Sequence, residues 1–133
     1  MVESWLAVLV CVVVGQILLT LWFTVFFGEP WARAYGAKDR AEHTKEIPPY
    51  TYAFGLFATL ALTLGLAVLQ QRLGVESLAG GLELGLLVAV CFCVATGLPG
   101  YAFLKKWDAF AIAISSQVVL ILVISSILAL WGG

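Results

Sequence analysis

The sequence predicts an all-α integral membrane protein, a four-helix bundle in one domain of residues 1–133, with a short interfacial segment after the first span. Hydrophobic residues make up 62% of the chain and charged residues only 11%, whereas soluble domains carry about 45–50% and about 25%. The mean hydropathy is +1.05. Four apolar runs each have room for a helix of about 20 residues, the length that crosses a bilayer.

The first predicted span covers residues 5–27 and has tryptophans near both ends, as an aromatic belt requires. Its polar residues Gln16, Thr20 and Thr24 recur every four positions. They therefore form one stripe, which we expect to face protein rather than lipid. No basic residue precedes this apolar run, which is longer than a signal-peptide core, so we expect the span to be retained.

A charged connector follows the first span. Gly28 and Pro30 predict the end of the first helix, since glycine suits a helix C-terminus and proline cannot easily continue a helix. Beyond them, Trp31 and Tyr35 share a face with the spacing of a short helix, which we expect to lie at the membrane interface.

Three further spans are predicted at residues 51–73, 81–103 and 109–131. The third begins with Gly81 and Gly85, a GxxxG pair that lets another helix approach closely. Pro99 predicts a kink or an early end of the same span. Trp107, in the short loop before the fourth span, is a third candidate interface anchor.

The basic residues predict the orientation. The connector carries four of the seven Lys and Arg residues, the loop at Lys105 and Lys106 carries two, and the opposite side has only Arg72. Cytoplasmic loops are enriched in Lys and Arg. We therefore expect a cell (cytoplasmic) membrane location with both termini outside and both basic loops in the cytoplasm.

The sequence predicts no catalytic site, no cofactor and no metal site. Charged residues stay in loops or near span ends, which disfavours proton relays. The one histidine, His43, lies in the charged connector, where it cannot serve as a haem ligand inside the bundle. The cysteines form no CxxC pair. A net charge of -1 leaves no basic field for nucleic acid, so the expected surroundings are lipid and membrane proteins.

One polar constellation stands out in the middle of the spans. At about 1.5 Å per residue, Gln16, Thr59 and Gln117 lie at similar depths on three spans. We predict a mid-membrane polar layer in which Gln16 and Gln117 are hydrogen-bonded across the bundle. The layer, with Thr20 one turn further along the first span, either stabilises helix packing or forms part of a ligand or permeation pocket.

Two motifs carry a family resemblance. The first runs from Trp22-Phe23 through Phe27-Gly28-Glu29-Pro30-Trp31 to Gly36, and the second joins Lys106-Trp107, Gln117 and the ending at residues 127–131. With both, the chain resembles a family of small bacterial four-helix membrane proteins catalogued as a domain of unknown function. It departs from that pattern in having Trp22-Phe23-Thr24 where members often have Trp-Tyr-Ser, and in a less aromatic third span. The resemblance implies the four-helix topology and no particular activity.

The sequence favours a non-enzymatic membrane protein that packs with a second copy of itself or with another membrane protein. The alternative is a small channel or transporter component that uses the polar layer for a neutral or lipid-like ligand. An enzyme of membrane lipids is a third class, with no residues that support it. A cavity reaching the glutamines would favour transport, and a dry centre would favour an interaction protein.

Overall fold

The computed structural model describes residues 4–34, 36, 41 and 47–132. Within them the chain forms six α-helices and no strand. The helices are α1 (Trp5–Leu21), α2 (Gly28–Ala34), α3 (Tyr50–Leu73), α4 (Leu78–Leu87), α5 (Ala95–Leu104) and α6 (Trp107–Gly132). Two π-helical segments extend this series, Trp22–Phe26 after α1 and Val88–Val94 between α4 and α5.

Four helical stretches are long and apolar enough to cross a membrane, which confirms the predicted fold class. We call them the first to fourth spans: Trp5–Phe26, Tyr50–Leu73, Leu78–Leu104 and Trp107–Trp131. The third begins at Leu78 rather than at residue 81, because Ser77 caps it: the Ser77 hydroxyl accepts a hydrogen bond from the Gly80 amide at 3.1 Å.

The junction after the first span differs from the prediction. Phe27, with φ -129° and ψ 21°, interrupts the helix, and α2 starts immediately afterwards at Gly28. Pro30 therefore does not end a helix. It lies in the first turn of α2, where the missing N–H of proline has no hydrogen bond to make.

The aromatic residues of the first span hold α2 in place. The Trp31 ring on α2 lies 4.7 Å from the Phe23 ring, centroid to centroid. The predicted anchor Tyr35 and the histidine His43 lie outside the described residues, so the interfacial segment is described only as far as α2.

The third span does not end early at Pro99, and its irregular part lies before that residue. The chain continues as helix through Pro99 to Leu104. The departure from α-helical geometry lies one to three turns earlier, in the π-helical segment. There the Thr96 hydroxyl donates to the Phe92 carbonyl at 2.5 Å and to the Cys93 carbonyl at 3.2 Å. The Thr96 hydroxyl therefore bonds to carbonyl oxygens at the end of the π-helical segment, where the Phe92 carbonyl also accepts from the Ala95 N–H.

The fourth span is the centre of the bundle. The first, second and third spans all pack on it, and the first and second also pack on each other. The second and third spans are not among the closely packed pairs. The bundle has two ends: a terminus end, where Trp5, Trp131 and the turn at Gly74 lie, and a basic end, with α2 and the turn at Lys105.

At the terminus end, glycines join the third and fourth spans. A Cβ atom added at Gly81 would lie 2.5 Å from the Ala129 Cβ and 2.9 Å from the Ser125 carbonyl oxygen. One added at Gly85 would lie 3.0 Å from the Ser125 hydroxyl. The GxxxG pair does let another helix approach, and that helix is the fourth span of the same chain.

The second span is attached at the same place. The Gln70 side-chain amide donates to the Ser125 carbonyl at 2.8 Å, and Gln70 is buried. We call this group the terminus clamp: Gln70, Gly81, Gly85, Ser125 and Ala129. Such contacts drive helix association in lipid, where no hydrophobic effect acts between helices.

The interior between the clamp and mid-depth is filled by buried apolar side chains. Its buried members come from all four spans: Cys11, Leu66, Ala89, Leu120, Ile121 and Ile124. Gly15 closes this core, because a Cβ there would lie 3.0 Å from both the Leu120 Cδ1 and the Thr59 Cγ2 atoms. The first span therefore touches the second and fourth spans directly at this level.

Replacing Gly81 by alanine should destabilise the bundle, since the added methyl group overlaps backbone and Cβ atoms of the fourth span. Overpacking of this kind costs about 1–3 kcal/mol. Gly65→Ala is the matched control, because an added Cβ there has nothing within 4 Å. Unfolding of both variants by SDS titration in micelles, followed by tryptophan fluorescence, checks this. Equal midpoints for the two variants would contradict the packing at the clamp.

Candidate functional site

Two of the predicted polar residues meet at mid-depth. The Thr59 hydroxyl donates to the Gln16 side-chain oxygen at 2.9 Å and shares its proton with the Gly55 carbonyl at 3.1 Å. Thr59 is only 2% exposed, and Gln16 is half-buried. The pair therefore joins the first and second spans, as a polar layer was expected to do.

The predicted hydrogen bond between Gln16 and Gln117 is absent, and that part of the hypothesis is wrong. Gln16 has Thr59 as its partner instead. Gln117 lies on the other side of Thr59, where both residues line a cavity. The Gln117 amide makes no hydrogen bond within the described part of the protein.

This cavity is a half-open cleft of about 400 Å³, which we call the lateral cleft. Its walls are the second and third spans, and its floor is the fourth span with Leu19 of the first. The wall residues are Gly55, Ala58, Thr59, Leu62, Val88, Phe92, Cys93 and Thr96, and the floor residues are Leu19, Gln117, Leu120 and Ile121.

The lateral cleft exists because its two walls meet at one end only. Near the terminus clamp, Gln70 of the second span comes within 3.6 Å of where a Gly81 Cβ would lie on the third span. Toward the basic end the walls separate. The floor stays closed, since Leu120 and Ile121 are 1% and 2% exposed.

The mouth of the cleft lies along the spans rather than at their ends. Gly55, Phe92 and Thr96 are exposed at its rim. At about 1.5 Å per residue, Thr96 lies about 12 Å and Gln117 about 15 Å from the basic end of their spans. A hydrocarbon core is about 30 Å thick, so this mouth faces acyl chains rather than headgroups.

The hydroxyl groups of the cleft have already used their protons. Thr59 donates to Gln16 and Gly55, and Thr96 donates to carbonyls of its own helix. Each hydroxyl oxygen can still accept a hydrogen bond. The Gln117 amide has two N–H donors and a carbonyl oxygen without a protein partner, so it is the group that a bound molecule would meet.

The other members of the first-span stripe do not reach the site. Thr20 and Thr24 are exposed on the surface of the chain, so the expectation that the whole stripe faces protein holds only for Gln16. Four residues advance by more than one helical turn of about 3.6 residues. Each successive residue of the stripe is therefore rotated further away from the bundle. Trp22 faces the fourth span instead, and its indole N–H donates to the Ile112 carbonyl at 3.1 Å.

The two described interface anchors differ in their contacts. Trp31 is half-buried against Phe23. Trp107 is 54% exposed and makes an edge contact with Phe110, with ring centroids 6.1 Å apart. Both lie at the basic end, outside the lateral cleft.

Sequence reasoning missed three polar residues that matter here. It assigns no contact to Gln70, whereas Gln70 is buried in the terminus clamp. It gave no role to Thr96 in the cleft or to Ser125 in the clamp. A signal was available for Gln70, because a glutamine within a turn of a span end can still reach a neighbouring helix.

The described residues form no set of three His, Cys, Asp or Glu side chains able to hold a metal ion. Ser115 and Ser116 donate to carbonyls three residues earlier in their own helix, at 3.0 Å and 2.6 Å. These hydroxyls are therefore occupied by the backbone, a common arrangement for serine in apolar helices.

The fold and this site define an all-α protein of the four-helix membrane class with a polar cleft open along its side. The family model described as Protein of unknown function (DUF1761) matches residues 6–129. The chain belongs to that family, which confirms the membership expected from the sequence motifs. Comparisons with curated proteins and with solved structures give no match. The family description assigns no activity, so function has to be argued from the cleft.

The two glutamines should respond differently to replacement by leucine. Gln16→Leu removes the hydrogen bond to Thr59, and bonds of this kind in membranes contribute about 0.6 kcal/mol on average and at most about 1.7. Gln117→Leu removes no protein contact of this kind and should leave the midpoint unchanged or raised. SDS-titration midpoints of the two variants measure this. A larger loss for Gln117→Leu would contradict the assignment of partners.

Proposed function

We propose that the protein is a non-enzymatic membrane protein that acts by binding another hydrophobic molecule from within the plane of the bilayer, in the lateral cleft. The carrying observation is the Gln117 amide at mid-depth, which has no hydrogen-bond partner among the residues that the structure describes. An amide without a hydrogen bond in an apolar medium costs several kcal/mol. A protein that retains such a group at a cleft mouth gains when a bound molecule supplies the missing bond.

The packing of the interior supports lateral binding over conduction along the bundle axis. The core from Cys11 to Ile124 is buried, and Gly15 brings three spans together at the level of Gln16. Gln16 itself is engaged by Thr59. The arrangement therefore does not resemble a water-filled path lined by polar groups, because the lateral cleft opens to the side of the bundle.

The distribution of charge also supports a role without chemistry. Charged residues of the described spans lie near the span ends, and none lines the cleft. Catalysis by a hydroxyl or thiol needs an adjacent base to activate it. Within the described residues, the cleft offers Thr59, Thr96, Cys93 and Gln117 and no such base.

For location, we propose the cytoplasmic membrane with both termini outside, on the strength of the Lys and Arg distribution. The basic end then faces the cytoplasm and the terminus clamp lies near the outer leaflet. Labelling of a Lys105→Cys variant by an impermeant maleimide in intact cells would contradict this orientation.

A photo-crosslinking experiment tests lateral binding directly. Benzoylphenylalanine at Phe92, on the cleft wall, should capture a molecule of defined mass in native membranes. The matched control is the same probe at Phe57, which is 70% exposed but does not line the cleft. The control should capture the distribution of bulk lipids. Mass spectrometry of the adducts distinguishes them, and identical distributions at the two positions would contradict the proposal.

A further inference from the structure

We infer that the occupant of the lateral cleft is a neutral lipid that carries a hydroxyl or carbonyl group on an apolar body and hydrogen-bonds to Gln117. This inference rests on the proposed function, whose cleft it fills. Three properties of the cleft support it: its size, its lack of charge and its unused hydrogen-bonding atoms.

The volume of the cleft is in the range of small-ligand sites. The cleft measures about 400 Å³, and pockets for small ligands span about 300–1,000 Å³. The bulky Phe92 on one wall, in contrast to the small Gly55 on the other, also breaks the smooth surface that close helix packing uses.

The lining excludes a charged ligand group. Among the twelve residues of the cleft, all described, none is ionised at neutral pH. An ammonium or carboxylate brought into this apolar site would be unpaired, and buried charges are tolerated only with a partner. The polar group of the occupant is therefore uncharged.

The donors and acceptors still available in the cleft determine which hydrogen bonds the polar group of the ligand can make. Gln117 offers donors and an acceptor, whereas Thr59 and Thr96 can only accept further bonds. A ligand carbonyl can accept from the Gln117 amide. A ligand hydroxyl can do the same and also donate to Gln117 or to a threonine oxygen. A bare hydrocarbon chain would leave the amide unpaired.

The position of Gln117 places this group well below the headgroups. It lies about 15 Å from the basic end of the fourth span, and the rim at Gly55 and Phe92 is apolar. The occupant is thus a molecule whose polar group is small enough to enter hydrocarbon, such as a long-chain alcohol, an isoprenoid alcohol or a quinone, and not a phospholipid held by its phosphate.

The test compares two photoactivatable probes on the purified, detergent-solubilised full chain: a diazirine-bearing hexadecanol and the matching diazirine-bearing hexadecane. The variants are Gln117→Leu and, as control, Gln71→Leu, an exposed glutamine on the second span that does not line the cleft. The readout is labelling of the peptide that contains residues 88–96, measured by mass spectrometry.

In the wild type and in Gln71→Leu, the alcohol should label this peptide about fivefold more than the alkane, a factor expected from one hydrogen bond of ordinary strength. In Gln117→Leu the ratio should fall to about one. Competition of unlabelled hexadecanol against unlabelled hexadecane on the wild type tests the same preference without a variant, which covers a failure of Gln117→Leu to fold.

Three results would overturn the inference. Equal labelling by both probes in the wild type would mean that the cleft takes plain chains. A preference for the alcohol that survives in Gln117→Leu would remove the amide from recognition. Polypeptide adducts from the Phe92 probe, with no lipid adduct, would assign the cleft to a partner helix and leave lateral binding intact. The proposed function itself fails only if Phe92 and Phe57 capture the same molecules.

Discussion

The terminus clamp is the constraint on which the rest of the bundle depends. In lipid, apolar side chains gain nothing by leaving their solvent, so helices need close backbone approach and hydrogen bonds to associate. Here Gly81 and Gly85 bring the third span against Ser125, and Gln70 ties the second span to the Ser125 carbonyl. Three spans are thereby fixed at one end. The second and third spans diverge toward the other end, and the lateral cleft is the space between them.

The polar residues within the spans fall into three groups according to their hydrogen-bond partners. Gln16 and Gln70 bond to neighbouring spans, and Thr63 and Ser126 bond to carbonyls of their own helices. The Ser125 hydroxyl is buried without a partner, but it is enclosed by the clamp, where only a small side chain fits beside Gly85. Gln117 lines the open lateral cleft, whereas Ser125 does not. A molecule that enters the cleft can therefore reach the Gln117 amide but not the Ser125 hydroxyl.

Much of the fold could be predicted from the sequence, because span length and apolar composition are properties of each segment alone. Helical rise converts residue number into distance, and this predicts that Gln16 and Thr59 lie at the same level, where they form a hydrogen bond. The pairing within the layer could not be predicted. Helices that are apolar nearly all round carry little information about which face meets which neighbour. Gln117 therefore looked equivalent to Gln16, and Thr59 proved to lie between them.

Two local features of the backbone also could not be predicted from the sequence. The π-helical segment at Val88–Val94 has no composition that marks it, yet it shapes one wall of the cleft. Pro30 looked like a stop, whereas the unusual backbone angles at Phe27 make the break and let Pro30 open the next helix.

The central claim is that the Gln117 amide faces the lateral cleft, where a lipid-like molecule can reach it, and is not hydrogen-bonded to Gln16. Side-chain amide NOEs of the perdeuterated protein in nanodiscs of protonated lipid measure this most directly. The account predicts cross-peaks from the Gln117 amide protons to aliphatic protons of lipid or of a bound lipid-like molecule, and none to Gln16. A cross-peak between the two glutamines, or exchange with water as the dominant contact of Gln117, would contradict it.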